Sequence, residues 1–248
     1  PYLIIIKDAI AIIPARSGSK GLKGKNVRKL GDHPLIAYSI AAAKLAGINE
    51  VWVSTDSILY AEVAKEYGAK TPFIRDSSIS KDTSTDFEFM RDAMEWCSQN
   101  FEYNPEYWMH LRPTTPLRDP MVLKDALNTL RNNASLDSLR SAHEVPESPF
   151  KWFLKDKNNL FEGIREEFTP EIVNQPRQYF PKVYNPNGYV DVVKSSHVLN
   201  SDNLHGSKMY VYETSNTVEI DTEREFEYIE FQLEKEGSPL TEFLENLK

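Results

Sequence analysis

The chain holds one cysteine, Cys97, in 248 residues, so no internal disulfide forms and nothing points to an oxidising compartment. No apolar stretch approaches membrane-spanning length, and Leu3–Ile6 is too short for the apolar core of a secretion signal. His33, His110, His143, His197 and His205 show no metal-ligand spacing. With a net charge of −8 the chain is a poor general nucleic-acid binder. There is no internal repeat or low-complexity segment. These absences leave a cytoplasmic globular protein with a small ligand, and neither a nucleic acid nor a membrane as partner. The opening run PYLIIIKD keeps three readings open: a cloning remnant, an edge strand, or the remainder of a longer protein.

Two nucleotide-binding signatures are missing as well. Five residues after Gly18 stands Lys23, and five after Gly21 stands Asn26, where a Walker A loop needs glycine. Gly18, Gly21 and Gly24 do not fit G-x-G-x-x-G either, which disfavours a nicotinamide-dependent oxidoreductase. What stands there instead is AIIPARSGSKGLKGKNVRKLG over 11–31, an apolar strand emptying into a glycine loop. Residues 16–29 contain six basic side chains and no acid. Glycines let backbone N–H groups approach a ligand, and Arg and Lys add charge and directional donors. A polyphosphate suits this cradle, whereas the plain alternative is a solvated basic loop.

Around that loop, strand-like and helix-like segments alternate. Strands are expected at Ala9–Pro14, Glu50–Thr55, Tyr107–Leu111 and Ser138–His143, with a short extended piece at Thr71–Arg75. Helices are expected at Leu35–Ala46 before Gly47, Ile58–Tyr67 before Gly68, from the SKDTSTD turn (80–86) to about Gln99, and at Met121–Asn132. Cys97 falls at helical spacing with Phe87, Met90 and Met94, which makes it core. This alternation predicts a doubly wound, mostly parallel α/β sheet, whose ligands sit beyond the carboxyl ends of the strands. The basic loop, Asp56 and RPTTPLR all fall at such ends. From about 146 to 183 periodicity fades into prolines, aromatics and charges, expected as an inserted lid or subunit-contact region of a single domain spanning 1–248. Regular structure resumes at Gly188–Val193, Lys208–Glu213, the strand VEID, and a helix from Arg224 to Lys235.

IIPARSGSKGLKGKN (12–26) is nearly the whole phosphate-loop signature of the acylneuraminate cytidylyltransferases, the CMP-sialic acid synthetases, and the chain resembles that family from about Ala9 to Glu227. SKDTST (80–85) resembles the family's nucleotide-contacting turn, and RPTTPLR (112–118) its QPTSPLR loop. PRQ (176–178) and PNG (186–188) resemble the approach to the sugar pocket, and EID (219–221) the metal-binding DID. The first motif is long and specific, while the later ones persuade through their order.

The resemblance implies a Rossmann-like nucleotidyltransferase that transfers CMP from CTP to a nonulosonic, sialic-acid-like sugar acid with release of pyrophosphate. It implies Mg²⁺ as cofactor and a homodimer whose inserted region reaches over the neighbour's pocket. Carried over residue by residue, Arg16, Ser19, Lys20, Lys25, Asn26, Arg75 and Ser84 bind the nucleotide. Arg112, Thr114, Arg177, Gln178 and Asn187 bind the sugar. Glu219 and Asp221, two apart and so on one face of a strand, hold the metal, and Arg16, Lys25 and Asp221 carry the catalysis. For Ser84 the plain reading is helix capping; for Arg75 it is a surface ion pair with Asp76 or Asp82. Lys23, Arg28 and Lys29 face either phosphate or water.

Three positions depart from the family pattern, and all lie on the sugar side. Arg112 replaces the usual Gln and adds a fork suited to carboxylate or phosphate. Glu219 replaces Asp. Asp191 stands in an otherwise apolar strand, YVDVV. They keep rivals open: a same-fold enzyme acting on another acid (Kdo, a phosphonate or a sugar phosphate), or a silent nucleotide-binding regulator.

Overall fold

The computed structural model describes residues 8–18, 21–101 and 105–247; Ser19, Lys20 and most of the opening apolar run lie outside the described residues. In chain order these residues form β1 (Ala9–Pro14), β2 (Lys29–Leu30), β3 (His33–Pro34), α1 (Leu35–Leu45), β4 (Val51–Ser54), α2 (Ile58–Glu66), α3 (Asp86–Asn100), β5 (Tyr107–His110), α4 (Pro120–Arg131) and β6 (Ser138–Glu144). They continue with β7 (Phe153–Lys155), β8 (Phe161–Gly163), α5 (Pro170–Val173), β9 (Tyr184–Lys194), α6 (Ser195–Leu199), β10 (Met209–Glu213), α7 (Glu223–Glu236) and α8 (Pro239–Glu245). Six strands make one sheet in the order β10–β6–β9–β5–β1–β4. β1 lies parallel to β4 and β5, and β6 parallel to β10, but β9 runs antiparallel to both neighbours. The mostly parallel α/β class therefore holds, with one reversed strand that sequence periodicity did not mark.

Alternation along β1 shows how the core is divided. Ala9, Ala11 and Ile13 point to a layer formed by α1, α4, α7 and α8; Ile10 and Ile12 point to the other, where α3 supplies Phe89, Met90, Met94 and Cys97. Cys97 is thus core, and burial raises its thiol pKa to about 11. The helix ends follow their local chemistry. Gly47, at φ +89°, ends α1, and the Ile48 N–H donates back to the Ala43 carbonyl. Thr85 with Glu88 closes a capping box on α3, and Thr222 with Glu225 closes another on α7.

One expected strand, VEID, is absent, and the extended piece at 71–75 joins no sheet; only Lys70 bridges to Trp52. VEID is irregular, because its backbone is engaged by a loop: the Ile220 N–H donates to the Thr114 carbonyl. Residues 146–183 carry the β7–β8 hairpin and short helical turns, with Trp152, Phe153 and Leu154 exposed. Among the described residues no helix is long and apolar enough to cross a membrane.

Candidate active site

The carboxyl ends of β1, β4 and β5 open into a cleft of about 550 Å³. The glycine loop forms one wall, and its described glycines differ in what surrounds them. Gly24 takes a left-handed φ of +66°. At Gly21 an added Cβ would stand 2.4 Å from the Asp221 carbonyl oxygen, so only glycine lets the loop pack against that segment. Gly18 has nothing among the described residues within 4 Å of such a Cβ.

Side chains then fix the loop. Asp56, at the end of β4, accepts from the Ser17 N–H at 2.7 Å and from its hydroxyl at 3.0 Å. Asn26, buried, donates to the Arg16 carbonyl at 3.0 Å. Lys25 Nζ donates to the Ile220 carbonyl at 2.9 Å and to Asp221 Oδ1 at 3.0 Å. Arg16 reaches across the mouth to Asp82 of the SKDTST turn at 2.5 Å. Arg28, one of the loop's open assignments, turns away to pair with Glu223 and lie over the Phe226 ring. Lys23 and Lys29 are exposed.

The opposite wall is α3 and its approach. Arg75 is not the surface ion pair that was one of its readings. It is buried, donates from Nε to the Ser54 hydroxyl at 3.0 Å and from Nη2 to the Ser54 carbonyl at 2.5 Å, and lies over Phe89. Burial pulls its pKa down to about 10, so the guanidinium remains a cation near neutrality. The capping reading of Ser84 is corrected too: Thr85 caps α3, while the Ser84 hydroxyl accepts from the Lys81 N–H at 3.0 Å and borders the cleft.

RPTTPLR closes the floor, with Arg112 and Thr114 facing the cleft. Its last residue, Arg118, was not singled out from sequence, yet it shapes the site. Wholly buried, it donates to the carbonyls of Arg112, Gly188 and Tyr189 and to the Ser39 hydroxyl. A bulge makes the last two carbonyls available. Opposite Ser141 of β6, residues 187–190 of β9 loop out of register, and Ser141 Oγ donates to Asn187 Oδ1 and accepts from the Val190 N–H.

The expected sugar-binding residues do not all gather in this cleft. Asn187 is buried under the bulge, its amide donating to the Thr214 hydroxyl at 2.6 Å. Arg177 and Gln178 border a second concavity of about 360 Å³, where Arg177 and Lys182 both pair with Glu144. The two carboxylates expected on one strand face stand apart in kind. Asp221 is exposed in the cleft. Glu219 packs against Gly188, where a Cβ would meet its Oε1 at 2.1 Å, and burial with the nearby Asp221 raises its carboxyl pKa. Among the described residues no three acidic, histidine or cysteine side chains cluster as a metal site. A hard cation here would need oxygens from substrate phosphates and water beside these carboxylates, which is how Mg²⁺ is ordinarily held.

Comparison with known proteins bears on the chain as a whole. A cytidylyltransferase family model matches residues 10–236. Post-translational flagellin modification protein B of Campylobacter coli is 28% identical over 96% of this chain and 100% of its own. CMP-N,N'-diacetyllegionaminic acid synthase of Campylobacter jejuni subsp. jejuni serotype O:2 is 31% identical over 90% of this chain and 94% of its own. The chain spans about half, 51%, of the N-acylneuraminate cytidylyltransferase of Streptococcus agalactiae serotype V, to which it is 29% identical. Among solved structures, CMP:2-keto-3-deoxy-manno-octonic acid synthetase complexed with CTP has a TM-score of 0.69 over 93% of this chain and 100% of that one. At 18% identity that likeness is one of fold.

Proposed function

Because this chain belongs to the cytidylyltransferase family, we propose that it transfers CMP from CTP to a nonulosonic acid of the sialic, legionaminic or pseudaminic type, releasing pyrophosphate. The observation that carries the reading is the convergence of Arg16, Lys25 and Arg75 on one cleft beyond the carboxyl ends of β1, β4 and β5. In the reaction a sugar hydroxyl oxygen attacks the α-phosphorus of CTP. The bond to the bridging oxygen breaks, pyrophosphate leaves with the electron pair, and the hydroxyl proton passes to solvent. Negative charge spreads over the phosphoryl oxygens, so catalysis consists of positioning and electrostatic stabilisation.

Lys25 is the residue best set for that work, since Ile220 and Asp221 hold its ammonium at the cleft wall. Arg16 is freed for phosphate when the triphosphate displaces Asp82. Asn26 shapes the loop from beneath, and Ser19 and Lys20 join the nucleotide set by resemblance alone. Asp221, with Glu219 behind it, would hold Mg²⁺, which supplies charge neutralisation on the phosphates. A homodimer is part of the proposal, supported by the exposed Trp152, Phe153 and Leu154, and so is cytoplasmic action on CTP.

The test is pyrophosphate release from CTP with Mg²⁺ and a panel of nonulosonic acids, with an eight-carbon ulosonate and a sugar phosphate as competitors. Turnover with a nine-carbon acid is expected. Silence across the panel overturns the proposal, and CTP binding without turnover would leave a regulator in its place.

A further inference from the structure

One buried charge takes no part in the reaction described above. Asp191 is 0% exposed on β9, an interior strand, where an unpaired carboxylate is costly. The register explains its company. His110 of β5 and Arg140 of β6 are its partners on the two flanking strands, so the three form one row across the sheet. Asp191 Oδ2 accepts from Arg112 Nη1 at 3.0 Å, while Oδ1 stands 3.6 Å from Arg140 Nε without a hydrogen bond. The other end of the Arg112 guanidinium donates from Nη2 to Asp86 at 2.6 Å.

The two carboxylates that grip Arg112 are not equivalent. Asp191 is buried and does not border the cleft. Asp86 does border it, with its side chain 42% exposed, and it is the first residue of α3, where the N-terminal helix dipole stabilises a carboxylate with or without Arg112. Both pairs are charge-assisted hydrogen bonds, but the Asp86 carboxylate is open to water on its cleft side, where it is screened and exchangeable, whereas the Asp191 carboxylate is closed to water. An anion entering the cleft therefore competes with Asp86 for Arg112 and leaves Asp191 in place.

We propose that Asp191 is the positioning residue that aims Arg112 at the carboxylate of the acceptor, with Asp86 as the partner which that carboxylate displaces. The inference rests on the acidic-acceptor reading above and adds to it the pair of residues that selects the acid. Arg112 and Asp191 form one unit: a guanidinium fork needs a fixed side to present the other, and the strand supplies it. The triphosphate is served separately by Arg16 and Lys25, so the unit acts on the acceptor alone.

The experiment compares KM and kcat for an acid acceptor with those for the same sugar as its primary amide, in the wild type, Arg112→Gln, Asp191→Asn and the double variant. The wild type is expected to favour the acid by about a hundredfold in kcat/KM, the scale of a charge-assisted fork. Arg112→Gln should bring that preference close to unity through KM of the acceptor, with KM for CTP within about twofold. Asp191→Asn should lower the preference about tenfold, and in the Arg112→Gln background it should change nothing further, the non-additivity expected of a coupled pair. Thermal midpoints and CTP binding report folding separately, and Asp191→Glu should restore part of the preference if a carboxylate is what matters.

A preference that survives in both single variants overturns this inference while the activity stands. So does a rise in the KM of CTP equal to that of the acceptor, which would assign Arg112 to the nucleotide. A wild type that releases no pyrophosphate with any acid removes the activity reading, and this inference with it.

Discussion

Lys25 Nζ lies 3.0 Å from Asp221 Oδ1, a contact between residues 196 positions apart that joins the glycine loop to the segment entering α7. The lysine side chain is 13% exposed and the aspartate 68%, so the cation is held inward while its partner faces the cleft. Lys25→Ala is expected to lower kcat by about a hundredfold or more, the usual scale for removing one preorganised donor from a developing charge. The far-UV spectrum and thermal midpoint should change little, because the loop keeps Asn26 and Asp56 as anchors. Turnover within about threefold of wild type would exclude Lys25 from the chemistry.

Gly21 and Gly18 look alike in the sequence but differ in what surrounds them. A methyl at Gly21 would drive into the Asp221 carbonyl oxygen at 2.4 Å, a backbone atom that yields only by moving the segment. Gly21→Ala should therefore weaken CTP binding, raising KM about tenfold or more, by displacing Asp221 and the Ile220 carbonyl from Lys25. Gly18→Ala meets nothing within 4 Å among the described residues and should leave KM for CTP within about twofold. Equal effects at the two sites would show that loop flexibility, rather than close approach, is what these glycines provide.

The contrast indicates what the sequence made legible. Most strand and helix positions came through because apolar runs and caps are local: the continuous apolar run Ala9–Pro14 and the glycine stops at 47 and 68 specify themselves. The direction of β9 did not, since an antiparallel neighbour leaves no mark on its own residues. Glycine and charge composition located the loop that walls the cleft. Arg118 was missed, Asp191 was read only as a departure and Asn187 as a sugar contact, because their surroundings depend on a bulge and a register that bring together residues 27 to 79 positions apart, and only tertiary contact supplies those. Arg177 and Gln178 lie in a second concavity because a motif's order along the chain carries no distance in space.

Arg118 makes the next expectation specific. Its guanidinium is 2% exposed or less and satisfies three carbonyls, those of Arg112, Gly188 and Tyr189. Arg118→Met removes the donors and leaves buried acceptors unpaired, at a cost of about 3–5 kcal/mol. Arg118→Lys should recover only part of this, since one ammonium cannot reproduce a planar fork. Urea denaturation monitored by tryptophan fluorescence measures both. A Met variant within about 1 kcal/mol of wild type would show that the bulge holds without it.

The final expectation concerns acid. His110 is 0% exposed, and burial first, then the nearby Arg112, lower its pKa to about 3 against the opposing pull of Asp86 and Asp191. The folded protein therefore keeps this imidazole neutral, whereas the unfolded chain protonates it below about pH 6.5. Between those values the unfolded state binds the extra proton, so stability falls as pH drops from about 6.5 toward 3, by up to about 1.4 kcal/mol per unit; above that window the contribution is complete. Carboxylates add an acid dependence of their own, common to wild type and variant, so the informative quantity is the difference. His110→Gln has no proton to gain, and its loss of stability between pH 7.5 and pH 5 should be smaller than that of the wild type by about 1–2 kcal/mol, measured as the shift in urea midpoint multiplied by the slope. Identical losses in the two proteins would mean that the imidazole charges inside the fold, and that the Asp191 row relaxes to accept it.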